Sequence, residues 1–245
     1  MTTNFRAIAT CLLAYICFDL MSVHVRLLSS NYSPQELSVY RNVIGVLPAI
    51  FYMWYSKELS LKISDYKIEK WKLGILRGLI IAVAQLCFYT ALANLELATV
   101  SALGQVSALF IVLLAIFLYK EKVGFWRWTA VIVGFLGATM IMKPGTDIFS
   151  WYSILPICAA FCYASSIVTL RSFKSSVSSA ILFLYSATSA AFGAIILAFG
   201  SITFTPIKSL MDGLLITSMA VCGGFGVVFL TVSYTHLTLP TKCSV

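Results

Sequence analysis

The sequence predicts an all-α bundle of transmembrane helices, and three observations predict it. Hydrophobic residues make up 60% of the 245 and charged residues only 11%, against roughly 45–50% and 25% in soluble domains. The mean hydropathy is correspondingly high, +0.94. The apolar residues are also gathered into continuous runs, each near the about 20 residues that a helix needs to cross a hydrocarbon core about 30 Å thick. Barrel strands would instead alternate over about ten residues, and lipid leaves the backbone no other way to satisfy its polar groups.

Eight such runs follow one another, over residues 7–27, 37–55, 73–93, 99–119, 126–142, 151–170, 179–199 and 211–231. The first lacks a small-residue cleavage site ahead of a soluble domain, and a second span follows at once, so it reads as a retained helix rather than a signal peptide. The second opens at "SPQELSVYRN" and carries Arg41, and the third, "GILRGLIIAVAQLCFYTAL", carries Arg77, Gln85 and Tyr89. The fifth ends at Lys143, Pro144 and Gly145, a helix-stop combination. In the sixth, Cys158 and Cys162 share a face at i,i+4, but no histidine or carboxylate is near enough in sequence to complete a metal site, so they read as packing residues. Cysteines stand singly in the spans, with one more in the tail, and make no disulfide framework. In the eighth span "CGGFG", Cys222–Gly226, has the look of a phosphate loop without its Gly-Lys-Ser/Thr ending, and close helix packing accounts for it better.

The net charge of +8 is not a nucleic-acid surface, because of where it lies. If the spans alternate, Arg6, Lys57, Lys62, Lys67, Lys70, Lys72, Lys120, Lys122, Arg127, Arg171 and Lys174 fall on one side, and only Arg26, Lys143 and Lys208 on the other. That asymmetry predicts a cytoplasmic N-terminus and a cytoplasmic loop "SKELSLKISDYKIEKWK" in an inner-membrane protein.

Two segments repeat. "SPQELSVYRNVIGVLPAIFYM" can be laid over "SSAILFLYSATSAAFGAIILA", and "GILRGLIIAVAQLCFYTAL" over "GLLITSMAVCGGFGVVFLT". The joint falls at "MKPGTDIFSW", which leaves a first repeat of five helices over 1–144 and a partial second of three over 151–231. An odd number of spans per repeat inverts the second copy, a carrier design with its site at the repeat interface near the midplane.

The segment "LGQVSALFIVLLAIFLYKEKVGFWRWTAVIVGFLGATMIMKPG" resembles the end of an EamA domain of the drug/metabolite transporter superfamily: a helix ending in Leu-x-x-Glu-x-x-Gly, an Arg-Trp pair, a Gly-rich fifth helix and a Pro-Gly stop. "SPQELSVYRN" and "LGILRG" are similar to the openings of that family's second and third helices, with Arg41, Arg77 and Gly78 at matching places. The resemblance covers about 1–231 and, among bacterial members, is to metabolite carriers, those of S-adenosylmethionine and riboflavin included. It implies ten spans in two inverted five-helix repeats, and therefore a chain that lacks the last two. The family's usual Pro-Leu pairs are replaced here by Glu96-Leu97 after the third helix and Ala108-Leu109 in the fourth. From Val232 the chain reads "VSYTHLTLPTKCSV", which resembles the conceptual translation of a transposase sequencing adapter; on that reading His236 and Cys243 carry no function.

Enzyme chemistry is disfavoured, because with His236 set aside only His24 remains and no histidine, cysteine or carboxylate cluster accompanies it. His24 itself reads as interfacial. The candidate substrate-binding residues are Tyr15, Asp19, Ser22, Arg41, Gln85, Tyr89, Ser101 and Gln105. Tyr15, Asp19, Ser22 and Arg26 fall at i, i+4, i+7 and i+11 on the first span, one polar stripe. Ser101, Gly104, Ala108 and Ala115 make a small-residue stripe on the fourth, with Gln105 beside it; substrate lining and helix packing explain it equally well. Gln85 and Tyr89 stand one turn apart and read as cavity-facing, since an amide facing lipid is costly. Arg77 reads as snorkelling to phosphates, and Lys120, Glu121 and Lys122 as a solvated turn. By helical rise Asp19 lies about 12 Å and Arg41 about 6–8 Å below the outer face, so the two can meet. They would do so either as a fixed structural pair or as a carboxylate that exchanges Arg41 for a proton or cationic substrate.

The sequence thus reads as a secondary or facilitative carrier of a small organic metabolite, with no cofactor, no metal and no nucleic acid among its partners. Coupling to a proton or another ion and assembly as a homodimer are both compatible with such a carrier. A non-transporting helical receptor or scaffold is the alternative.

Overall fold

The computed structural model describes residues 2–57, 68–120, 124–142, 150–173, 178–199 and 204–238. The helix stop at Lys143, Pro144 and Gly145, the pair Glu121 and Lys122, and Cys243 lie outside them. The described residues form ten α-helices and no strand: α1 (Thr2–Leu28), α2 (Pro34–Ile44), α3 (Val46–Tyr55), α4 (Trp71–Asn94), α5 (Leu97–Gly104), α6 (Ser107–Tyr119), α7 (Phe125–Met142), α8 (Ile154–Thr169), α9 (Ser179–Ala198) and α10 (Leu210–Thr238). Helix α10 therefore runs on past Val232 to Thr238.

Among the described residues seven helical segments are long and apolar enough to cross a membrane: Ile8–Leu28, Trp71–Asn94, Leu97–Tyr119, Phe125–Met142, Trp151–Thr169, Ala180–Ala198 and Leu210–Leu230. The expected span over 37–55 is present as two shorter helices, α2 and α3, which meet at Gly45. Pro48 explains the break. It has no N–H to bond the carbonyl four residues back, at Ile44, and its ring crowds that carbonyl. The start of α2 is well specified: Ser33 accepts from the Glu36 N–H, Glu36 bonds back to Ser33, and Pro34 opens the first turn. A second break divides the expected fourth span, where Gln105 and Val106 make i→i+3 bonds between α5 and α6.

The bundle is built on α1 against α10, α4 between α8 and α9, and α2 against α9 and α10. Helix α7 packs chiefly on α5 and α6 and is mostly exposed. The main core joins Met21, Val25 and Leu28 of α1, Tyr89 and Leu92 of α4, and Ile216 and Met219 of α10. Many large apolar side chains, Leu12, Trp54, Phe117, Trp126 and Phe192 among them, lie exposed on the outside, as lipid-facing residues do. The "CGGFG" run is a packing surface. A side chain at Gly224 would strike Pro48, and one at Gly226 the ring of Phe18.

Candidate functional site

Helix α2 contributes adjacent polar residues to the interior. Arg41 is 7% exposed; its Nη1 donates to Asn42 Oδ1 at 3.1 Å and its Nη2 to the main-chain carbonyl of Gly223 on α10, also at 3.1 Å. Its Nε is buried with no acceptor. A Cβ at position 223 would collide with Met21 Sδ and with that guanidinium, so the glycine is what lets the arginine lie against α10. Asn42, equally buried, donates through Nδ2 to the Ser38 carbonyl at 2.8 Å and to Gln85 Oε1 on α4. One turn further, Tyr89 is wholly buried and points its hydroxyl at Met21 Sδ, 3.5 Å away. Tyr163 of α8 lies near enough to Tyr89 and Arg41 to interact electrostatically with both.

A second arginine serves the same interior. Arg77 was expected to snorkel outwards, but it turns inwards: Nε donates to the Ser166 carbonyl of α8 at 2.8 Å and Nη1 to Ser186 Oγ of α9 at 2.7 Å. Its neighbour Gly78 permits this, because a side chain there would overlap the Ser189 hydroxyl and the Ser186 carbonyl, and without one α4 and α9 approach closely. Between the two arginines lies a cavity of about 30 Å³, lined by Arg41, Asn42, Arg77 and Ser186 together with Gly45 at the α2–α3 junction, Gly224 of α10 and apolar residues of α4, α9 and α10. It has room for roughly two water molecules.

The sequence-derived candidates divide. Arg41, Gln85 and Tyr89 come together in this core, and Ser22 is buried beside it with its hydroxyl on the Phe18 carbonyl at 2.8 Å. Tyr15 and Asp19 lie exposed on α1. Among the described residues Asp19 forms no ion pair, and Arg41 bonds only neutral acceptors, so the pair anticipated from their depths is not formed. Arg26 is exposed and donates to the Leu92 carbonyl. Ser101 is half-buried, Gly104 faces the Phe88 ring, Gln105 and Ala108 are exposed and Ala115 is buried, so the small-residue stripe of the fourth span does not share one environment. His24 is half-buried with its Nδ1 enclosed and unpartnered. Asn42 and Ser186 were missed. The argument that turns Gln85 inwards, the cost of an amide in lipid, applies to Asn42 equally.

One end of the bundle is fastened by a clasp between the α1–α2 turn and the segment before α10. Glu36, in the first turn of α2 and ahead of the expected span, is 1% exposed. Its carboxylate accepts from the Ser33 N–H at 2.8 Å, the Ser33 hydroxyl at 3.0 Å and the Thr205 N–H. Burial pushes the carboxyl up, but the N–H groups of Thr205 and Ser33, together with their hydroxyls, outweigh it and hold Glu36 below the usual glutamate range. Beside it Tyr32 donates to Asp212 Oδ2 and accepts from the Lys208 N–H, each at 3.1 Å, and the Tyr40 and Phe204 rings meet edge to face at 6.2 Å.

Known proteins with similar sequences share this architecture's family. Relatives include an uncharacterized transporter of Helicobacter pylori, 29% identical over 56% of this chain and 45% of its own. The pseudopaline exporter of Pseudomonas aeruginosa is 25% identical over 91% of this chain and 76% of its own. The S-adenosylmethionine uptake transporter of Rickettsia prowazekii is 26% identical over 76% and 61%. The matched region thus spans less than half the length of the Helicobacter protein. Residues 5–143, the stretch that contains Arg41, Asn42, Arg77, Gln85 and Tyr89, match the EamA-like transporter family, and this multi-pass membrane protein belongs to it.

Proposed function

We propose that the protein is a secondary or facilitative carrier of a small organic metabolite, working by alternating access between two inverted repeats, residues 1–144 and 151–231, in the inner membrane. The observation that carries this reading is the polar seam between the two segments: Arg41 reaches α10 and Arg77 reaches α8 and α9. The helix pairing supports it. The first helix of the first segment packs on the third of the second (α1 on α10), the third packs on the first (α4 on α8), and the second helices pack on each other (α2 on α9). Two copies related by a pseudo-twofold axis would pair in this way, with the site at their junction. The charge asymmetry of the loops favours a cytoplasmic N-terminus. Of the relatives, one is an exporter and one an uptake transporter, so the reading carries no direction.

The test is uptake and counterflow of a metabolite panel by the full gene product in proteoliposomes, with and without imposed ion gradients. Saturable movement of at least one compound is expected. Fluxes equal to protein-free vesicles across the panel would overturn the carrier reading in favour of a receptor or scaffold.

A further inference from the structure

The cavity between Arg41 and Arg77 contains two guanidinium groups and no acid. None of the residues that line it is an aspartate or glutamate. Of the acids elsewhere, Glu36 is engaged by Ser33 and Thr205, Asp212 by Tyr32, and Asp19 lies exposed on α1. Among the described residues each arginine makes two hydrogen bonds, all to neutral oxygens: Asn42 and the Gly223 carbonyl for Arg41, Ser186 and the Ser166 carbonyl for Arg77. A guanidinium has five N–H donors. Both therefore keep unused donors, and the buried Nε of Arg41 has no acceptor at all. Two like charges inside an apolar bundle without a counter-ion are costly, and a buried charge is ordinarily paired.

We propose that this cavity is the anchor for a carboxylate group of the transported metabolite, held between Arg41 and Arg77 and oriented by Asn42 and Ser186. This rests on the carrier reading and deepens it to a substrate class. The guanidinium fork matches the two oxygens of a carboxylate. The cavity has room for the two oxygens of a carboxylate. Ile81, Phe183 and Val227 supply an apolar wall for the carbon skeleton next to the acid.

The experiment compares acids with their own amides, succinate with succinamide and benzoate with benzamide, by thermal shift and calorimetry on the purified protein in lipid nanodiscs. Inorganic phosphate and chloride are run as separate arms. At least one acid should bind and raise the melting temperature, and its amide should not. Arg41→Gln and Arg77→Gln should each weaken acid binding by about thirtyfold or more, and Arg77→Lys by less than Arg77→Gln. If the glutamine variants do not fold, the acid-amide comparison on the unaltered protein still decides. Amides that bind as well as acids, acids that do not bind, or folded glutamine variants with unaltered affinity would each overturn the proposal. A shift from phosphate or chloride alone would overturn the carboxylate assignment. An acid that binds yet never crosses proteoliposomes defeats the carrier reading and leaves the site. Transport that ignores both the acid-amide difference and the two arginines defeats the site and leaves the carrier.

Discussion

Arg41 and Gly223 are joined across 182 positions of sequence by a 3.1 Å hydrogen bond from a guanidinium to a main-chain carbonyl. The contact requires that residue 223 have no side chain, since a Cβ there would approach Met21 Sδ and Arg41 Nε far inside van der Waals distance. Gly223→Ala should destabilise the folded protein by about 1–3 kcal/mol, as overpacking does. Gly137, with nothing within 4 Å of its would-be Cβ, is the control: Gly137→Ala should be neutral or slightly stabilising. Thermal melting of the two variants in detergent, measured side by side, checks the contrast.

Asn42 and Gln85 are a buried amide pair on different helices. Replacing either with leucine leaves the other partner's polar group enclosed, at a cost of about 1–3 kcal/mol. The double variant Asn42→Leu with Gln85→Leu should lose less than the sum of the singles. A double-mutant cycle on melting curves gives the coupling directly, and strict additivity would contradict the pairing.

Asp19→Asn should not lower stability, and removing an unpaired charge from the outward face of a span should if anything raise it, because the carboxylate has no partner among the described residues. Folded yield and melting temperature are the readouts. A clear loss would mean that Asp19 holds a counter-charge.

Glu36 gives the fold a pH dependence whose direction is fixed. Its carboxyl titrates below the usual glutamate range in the folded state, so its stabilisation is fully present above the unfolded value of about 4.3 and is lost as pH falls through the folded value. Melting temperature measured downwards from neutral pH should fall more steeply in the parent than in Glu36→Gln. Parallel curves would remove Glu36 from the account.

The loop charges make a topological prediction. In a variant freed of its native cysteines, Lys57→Cys should be shielded from an impermeant thiol reagent in intact cells and Asn94→Cys labelled. The opposite pattern would reverse the orientation.

The helical class and seven of the eight expected spans were legible because lipid demands long apolar runs, and residue type alone reveals those; the run over 37–55 is instead divided into α2 and α3. Which face of a span looks inwards was much less legible. On α1 the buried positions include Ala14, Met21, Val25 and Leu28, yet Leu12, Leu13 and Ile16 on its exposed side are just as apolar. Lipid and protein interior select the same residues, so the periodicity that marks a soluble helix is absent. The polar stripe through Tyr15, Asp19 and Ser22 therefore does not lie on the packed face as a unit, and only Ser22 is buried. Gln85 and Tyr89 are buried, as the cost of a polar group in hydrocarbon anticipates, but neither lines the cavity between the arginines. Arg77 defeated the same kind of reasoning because snorkelling and burial are both open to an arginine one turn inside a helix. Gly78, which lets α9 come close enough to offer Ser186, decided between them.

The clasp at Glu36 and Tyr32 leaves part of the segment it grips free to drift. At Lys208 the anchor is a main-chain N–H, which every amino acid except proline provides. Thr205 meets Glu36 through its hydroxyl as well as its N–H. Mutational change at position 208 can therefore recolour that surface, altering its charge or epitope, while the chain keeps its seat. Selection for the seat falls instead on Glu36, Tyr32 and Thr205, and against proline at 205 and 208.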